Sequence, residues 1–180
     1  MDHNTHHKIR AVFFDSGDTI VDEGTEIKDA TGTSLQAGLI PGAADTVRAL
    51  KAQGYCLALV ADGPAGTFYN TLGPPGVLNL FDALAISELV GAEKPDARIF
   101  HYALDQLGIP PAEYGRVVMI GNNLSRDIKG ANALGLISIW MDWAPRRPKI
   151  PADASEQPRY TVKTPPELIH LINDIEKSLP

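Results

Sequence analysis

Residues 11–20 read AVFFDSGDTI: four apolar residues, then Asp15, then the turn-forming Ser16-Gly17-Asp18-Thr19 before the chain becomes apolar again. An uninterrupted apolar run is the pattern of a strand covered on both faces, and such strands belong to parallel sheets. Asp15 therefore stands at the mouth of a buried strand, the end at which an open α/β sheet binds its ligands. Working outward, short β-prone runs at 11–15, 56–61, 83–87, 117–121 and 136–141 alternate with segments of helical period. Strands separated by helices predict a parallel sheet with helices on both faces.

The helices carry their own start and stop signals. One follows Pro41-Gly42 and stops at Gly54; a second runs from about Pro64 to Leu72 and breaks at Gly73-Pro74-Pro75-Gly76. A third starts at Pro95-Asp96, places Ile99, Phe100, Ala103 and Leu107 on one side, and ends at Gly108. A fourth spans about Ser125 to Leu134, and the last follows Thr164-Pro165-Pro166, with Thr164 as its N-cap. Residues 21–40 have no sustained period and read as a flexible flap or long loop beside the first strand. Residues 144–157 are a Pro-rich connection, followed by a short strand near Tyr160-Thr161-Val162.

The 180 residues, 44% apolar and 21% charged, suit one domain over 8–180, with 1–7 as a disordered tail carrying His3, His6 and His7. A net charge of −6 favours neither nucleic acid nor an anionic membrane as partner. No apolar stretch approaches the ~18 residues of a membrane span, no hydrophobic signal segment opens the chain, and the expected compartment is the cytoplasm. The single cysteine, Cys56, lies in an apolar run and reads as a small core residue.

The polar residues at the strand ends form a set. The first strand ends in Asp15, the second in Ala61-Asp62-Gly63, a loop after the third carries Lys94, and the fourth ends in Gly121-Asn122-Asn123 with Asp127 one turn on. Parallel strands bring these ends to one edge, and carboxylates, an amide, a lysine and turn amides together suit a phosphate and a divalent cation.

These motifs, LALVADG, FDALAISELVGAEKPDARIFHYALDQLGI and VVMIGNNLSRDIKGANALGL, resemble in order and spacing those of the haloacid dehalogenase (HAD) superfamily, from about Arg10 to Trp143. The resemblance implies a three-layer αβα Rossmann-like core with a central parallel sheet of about five strands. By position it implies that Asp15 is the nucleophile and a Mg²⁺ ligand, with the main-chain carbonyl of Gly17, Asn122 and Asp127 completing the metal site. Lys94 would neutralise Asp15 and the phosphoryl oxygens, and Asp62 and Gly63 would offer main-chain amides to the phosphate. A carboxylate attacking a phosphate dianion meets like-charge repulsion, which a metal and a lysine lower.

Three positions depart from the family pattern. Gly17 stands where a second aspartate usually acts as general acid and base, a loss that typically costs ~10²–10⁴ in rate. Ala61 replaces a hydroxyl residue, and Asn122 replaces a metal-bound aspartate, which weakens Mg²⁺ binding. Asp18 is one residue late for the acid role, and hydrogen-bonding its own turn is the plainer reading.

Neither the stretch between Asp15 and Pro41 nor that between Asp62 and Lys94 has room for a cap domain. The site is then open, suited to a phosphorylated small molecule or an exposed phosphate on a larger one, with a second copy of the chain as a candidate cover. Trp140 reads as core, and Trp143 as packing or recognition. Three functions follow: a Mg²⁺-dependent phosphatase working through an aspartyl intermediate at Asp15, a catalytically weak or inactive binding or scaffold protein on the same fold, and a domain phosphorylated at Asp15 that hydrolyses slowly.

Overall fold

The computed structural model describes residues 7–180. Its main sheet has six parallel strands in the order β5-β4-β1-β6-β7-β8. They are β1 (Ala11–Phe14), β4 (Leu57–Ala61), β5 (Ala83–Ile86), β6 (Val117–Gly121), β7 (Ile137–Met141) and β8 (Tyr160–Val162). The sixth strand, one more than the expected five, is the short run after the Pro-rich connection, paired through Ile139 with Tyr160 and Met141 with Val162.

Alternation along the central strands builds two cores. Val12 and Phe14 of β1 join Leu57, Leu59, Val118 and Ile120 on one face, under α1 (Ala43–Ala52), α2 (Ala65–Leu72) and α6 (Glu167–Ser178). Ala11 and Phe13 join Ala58, Val60, Val117 and Met119 on the other, under α4 (Ala97–Gln106) and α5 (Lys129–Ala133). Phe13 and Phe14 are fully buried, each contributing roughly 1.5–3 kcal/mol of transfer free energy. That accounts for the uninterrupted apolar run: both faces of β1 are covered.

β1 lies between β4 and β6. The chain leaves it towards β4 and β5, then crosses back to β6 and β7, so the strand order reverses beside β1 and opens a crevice at the carboxyl ends of β1 and β6. Between β5 and α4 runs the single turn α3 (Ser87–Val90), and the Lys94–Pro95 peptide that follows is cis.

Residues 21–40 correct the reading of a flap or long loop: they form an antiparallel hairpin, β2 (Val21–Lys28) and β3 (Ser34–Leu39). The register shifts between Asp22 and Ile27 and again at Lys28, which breaks the period of two, and Ile27 and Leu35 face solvent. Both signals by which a strand is read are thereby lost. The hairpin is held at its base by buried Ile20, Val21 and Ile40, and on α2 by Ser34 N–H donating to Thr67 Oγ1 (3.0 Å) and Asn70 Nδ2 donating to Ser34 O (3.0 Å). Between β1 and α1 nothing but this hairpin is inserted, and no cap domain lies between β4 and Lys94.

Smaller expectations fare differently. Cys56 precedes β4 and is half-buried rather than core, its thiol pushed up by burial. Thr164 does not cap a backbone N–H; its hydroxyl donates to Glu167 Oε1 (2.7 Å). His3 and His6 lie outside the described residues, while His7 stacks on Tyr55 with ring centroids 4.1 Å apart. Among the described residues no helix is long and apolar enough to cross a membrane.

Candidate active site

Asp15 leaves β1 with its N–H still donating to Ile120 O (2.9 Å), so its side chain emerges at the centre of the crevice. Lys94 reaches it from the loop after α3. Lys94 Nζ lies 2.7 Å from Asp15 Oδ1 and 2.7 Å from Asp127 Oδ1, and donates to Val60 O (2.8 Å). Burial alone would lower the lysine pKa, but the carboxylates of Asp127, Asp15 and Asp62 outweigh it and raise it, so Lys94 is held as a cation.

Asp127 sits in a π-helical turn, Leu124–Ile128, directly after β6. Its Oδ2 accepts from Asn123 N–H (2.9 Å), and Asn123 Oδ1 accepts from Ser125 N–H (3.1 Å), so Asn123 rather than Asn122 ties the turn. A side chain on Gly121 would overlap the Asp127 carboxyl group, which explains glycine at the end of β6. Burial raises the Asp127 pKa, the negative charge of Asp15 adds to the rise, and Lys94 opposes it. Asn122 is buried, its main-chain carbonyl accepting from Trp140 Nε1 (3.0 Å) and its side-chain Nδ2 without a hydrogen-bond partner among the described residues. Trp140 is thus core, as expected, and also a brace for the end of β6.

Asp62, at the end of β4, accepts from Lys94 N–H at Oδ1 (2.9 Å) and pairs with Arg126 at Oδ2 (3.2 Å). Its side chain positions the Lys94 loop. Gly63 N–H donates to Ser87 Oγ (2.9 Å), so this amide, expected to face a phosphate, is turned to a neighbouring hydroxyl.

Of the expected residues, Asp15, Asp62, Lys94, Asn122 and Asp127 line one pocket of about 230 Å³, and Gly17 and Gly63 line an adjoining one of about 170 Å³ that shares Asp15 and Asp62. Three further residues of the first pocket were not anticipated: Glu23, Arg126 and Arg147. Glu23 projects from β2. A Cβ built on Gly17 would collide with Glu23 Oε1 and lie 2.6 Å from Glu23 Cδ, so the Glu23 carboxylate fills the space of a residue 17 side chain. Arg147 Nη2 pairs with Glu23 Oε2 and Arg147 Nε with Asp18 Oδ2 (2.8 Å). Burial raises the Glu23 pKa, Arg147 opposes, and the charges of Asp18, Asp15 and Glu26 add to the rise. Asp18 is fully buried with φ of 51°, accepts from Glu23 N–H (3.2 Å) and pairs with Arg146 and Arg147, which fits the turn role and leaves no route to a substrate.

Among the described residues the first pocket sets four carboxyl groups against three cations, so it offers no net positive charge to an entering phosphate dianion. Among the described residues no three His, Cys, Asp or Glu side chains form a ready metal cage. The donors present are two carboxylates, an uncommitted amide and a main-chain carbonyl, all hard oxygens, and Mg²⁺ is commonly held by one or two carboxylates with waters completing its shell. The set fits Mg²⁺.

The model of the haloacid dehalogenase-like hydrolases matches residues 27–135, more than half of the chain. The chain belongs to that family. HAD relatives among curated proteins include the glyceraldehyde 3-phosphate phosphatase of Methanopyrus kandleri, 29% identical over 137 residues (76% of this chain, 58% of the relative). They also include the putative HAD-hydrolase YfnB of Bacillus subtilis, 33% identical over 137 residues (75% and 54%), and the phosphoserine phosphatase of Thermus thermophilus, 33% identical over 104 residues (58% and 41%). The chain thus spans about half the length of these relatives. The HAD fold is seen again in the crystal structure of YfnB bound to magnesium, which superposes with a TM-score of 0.73 at 22% identity, covering 91% of this chain and 98% of that one.

Proposed function

We propose that this HAD hydrolase cleaves a phosphate monoester through an aspartyl-phosphate at Asp15. The observation that carries this reading is the bridge of Lys94 Nζ, 2.7 Å from both Asp15 and Asp127, at the carboxyl end of the sheet. Lys94 spreads the Asp15 charge and keeps the nucleophile aimed into the crevice from a buried, fixed position. Asp15 attacks phosphorus, and Arg126 and Arg147 at the pocket wall add attraction for the incoming anion. Asp15, Asp127, Asn122 and the Gly17 carbonyl would hold Mg²⁺, which would supply the positive charge that the pocket lacks. Asp127 is fixed by Asn123 N–H and Lys94, so its carboxyl group is held in place at the end of β6. With no cap over the pocket, the substrate class is a small phosphorylated molecule or a phosphate exposed on a larger one, in line with the phosphatase relatives.

The test is turnover of a panel of phosphate esters at saturating Mg²⁺ beside an Asp15→Asn control. Turnover present in the wild type and absent in the control is expected; equal rates in the two would overturn the reading. Isothermal titration of Mg²⁺ with and without tungstate gives an independent readout, in which binding depends on Asp15 and tightens with the anion.

A further inference from the structure

Cleaving a phosphate ester needs a proton for the departing oxygen, and hydrolysing an acyl-phosphate needs a group to take a proton from water. Residue 17 has no side chain to do either. The pocket's remaining carboxylates can be sorted by their bonds. Asp15 is the attacking group of the proposed reaction. Asp127 is held between Lys94 and Asn123 N–H, and Asp62 between Lys94 N–H and Arg126. Glu23 differs: Arg147 anchors its Oε2, while Oε1 accepts no hydrogen bond among the described residues and occupies the place of a residue 17 side chain, next to Asp15 in both pockets.

We propose that Glu23, reaching in from the β2–β3 hairpin, is the general acid and base of this site, its carboxyl group replacing one that residue 17 lacks. The assignment rests on the phosphatase reading above. In the first step Asp15 Oδ bonds to phosphorus, the phosphorus–ester oxygen bond breaks, and its electron pair takes the proton from Glu23 Oε1, releasing the alcohol. In the second, water attacks phosphorus while Glu23 Oε1 takes its proton, and the bond from phosphorus to Asp15 breaks to release phosphate. Both residues return to their starting forms. Arg147 and the main chain of β2 act as positioning elements, holding the carboxyl group on the substrate side of Gly17.

The experiment compares kcat/KM for p-nitrophenyl phosphate, whose leaving group departs without a proton, and for the alkyl esters phosphoserine and glycerol 3-phosphate, whose leaving groups need one. Glu23→Gln keeps the side-chain shape. It is expected to lower kcat/KM for the alkyl esters by ~10²–10⁴ and for the aryl ester by less than about tenfold, since hydrolysis of the aspartyl-phosphate, common to both, lies beyond the steps that kcat/KM reports. Equal losses on both, or no loss on either, overturn the assignment. Glu23→Ala combined with Gly17→Asp moves a carboxylate back to residue 17, whose φ needs no glycine. This double variant is expected to recover alkyl turnover relative to Glu23→Ala, and a folded double variant without recovery overturns the assignment. Should Glu23→Gln fail to fold, the double variant carries the test together with the wild type, whose alkyl and aryl rates are expected within about a hundredfold of each other; a wider gap overturns the assignment. Asp15→Asn separates the two levels of failure. Wild-type turnover no greater than that control removes the phosphatase reading and this assignment together, whereas Asp15-dependent turnover indifferent to Glu23 removes the assignment alone.

Discussion

Two ion-pair clusters border Asp15, and they are built from different materials. Around Lys94, the side chains of Lys94, Asp15 and Asp127 are 2%, 12% and 1% exposed and come from the loops at the strand ends of the main sheet. Around Asp18, which is fully buried, the cations are Arg146 and Arg147, 40% and 28% exposed, and they tie the β2–β3 hairpin to the segment after β7. Water reaches the two arginines of the second cluster and little of the first. Charges in the first attract one another more strongly but also cost more to bury, so the expensive change there is orphaning one of them, while the second acts as a screened clasp.

Lys94→Met leaves two buried carboxylates facing each other. A loss of about 3–5 kcal/mol in urea unfolding, with complete loss of turnover, is expected. A variant as stable as wild type would show that the Lys94 cluster is not the rigid one. Removing both arginines, Arg146→Ala with Arg147→Ala, strips the buried Asp18 of its cations and is expected to cost about 1–3 kcal/mol, less than Lys94 because water can enter.

Trp140→Phe removes the donor to the Asn122 carbonyl, with an expected cost of about 1–2 kcal/mol in the same assay and weaker Mg²⁺ binding by titration. Arg146→Ala alone, with Arg147 still on Asp18, is expected to cost less than about 1 kcal/mol, and raising the salt should shrink even that.

The smallest effect is on pH dependence. Burial raises the Asp62 pKa above 3.8, against the pull of Lys94 and Arg126. The folded state then binds this proton more tightly than the unfolded chain, so the associated stability is fully present below the unfolded value and lost as pH rises through the folded one. Asp62→Asn should flatten the fall in melting temperature across that window, and an unchanged slope would place the titrating group elsewhere.

The rigid cluster was legible in the sequence and the clasp was not. Asp15, Lys94 and Asp127 each follow a strand or helix whose period is visible, and parallel pairing then forces those ends together. Glu23 lies in a hairpin whose shifted register and exposed face erase the alternation by which a strand is read. Arg147 sits in a Pro-rich connection 124 residues away from the carboxylate it holds. Nothing local links the two.

The layered α/β sheet, its crevice and three charged residues converging there follow from the local pattern of the chain, because chain order and strand direction leave one edge for them to share. Which carboxyl group occupies the gap at Gly17, the sealing of Asp18 beneath two arginines and the turning of Gly63 N–H to Ser87 emerge only in the folded molecule. Those are side-chain placements between distant segments, set by packing and charge in the folded molecule rather than by the local pattern of any one stretch.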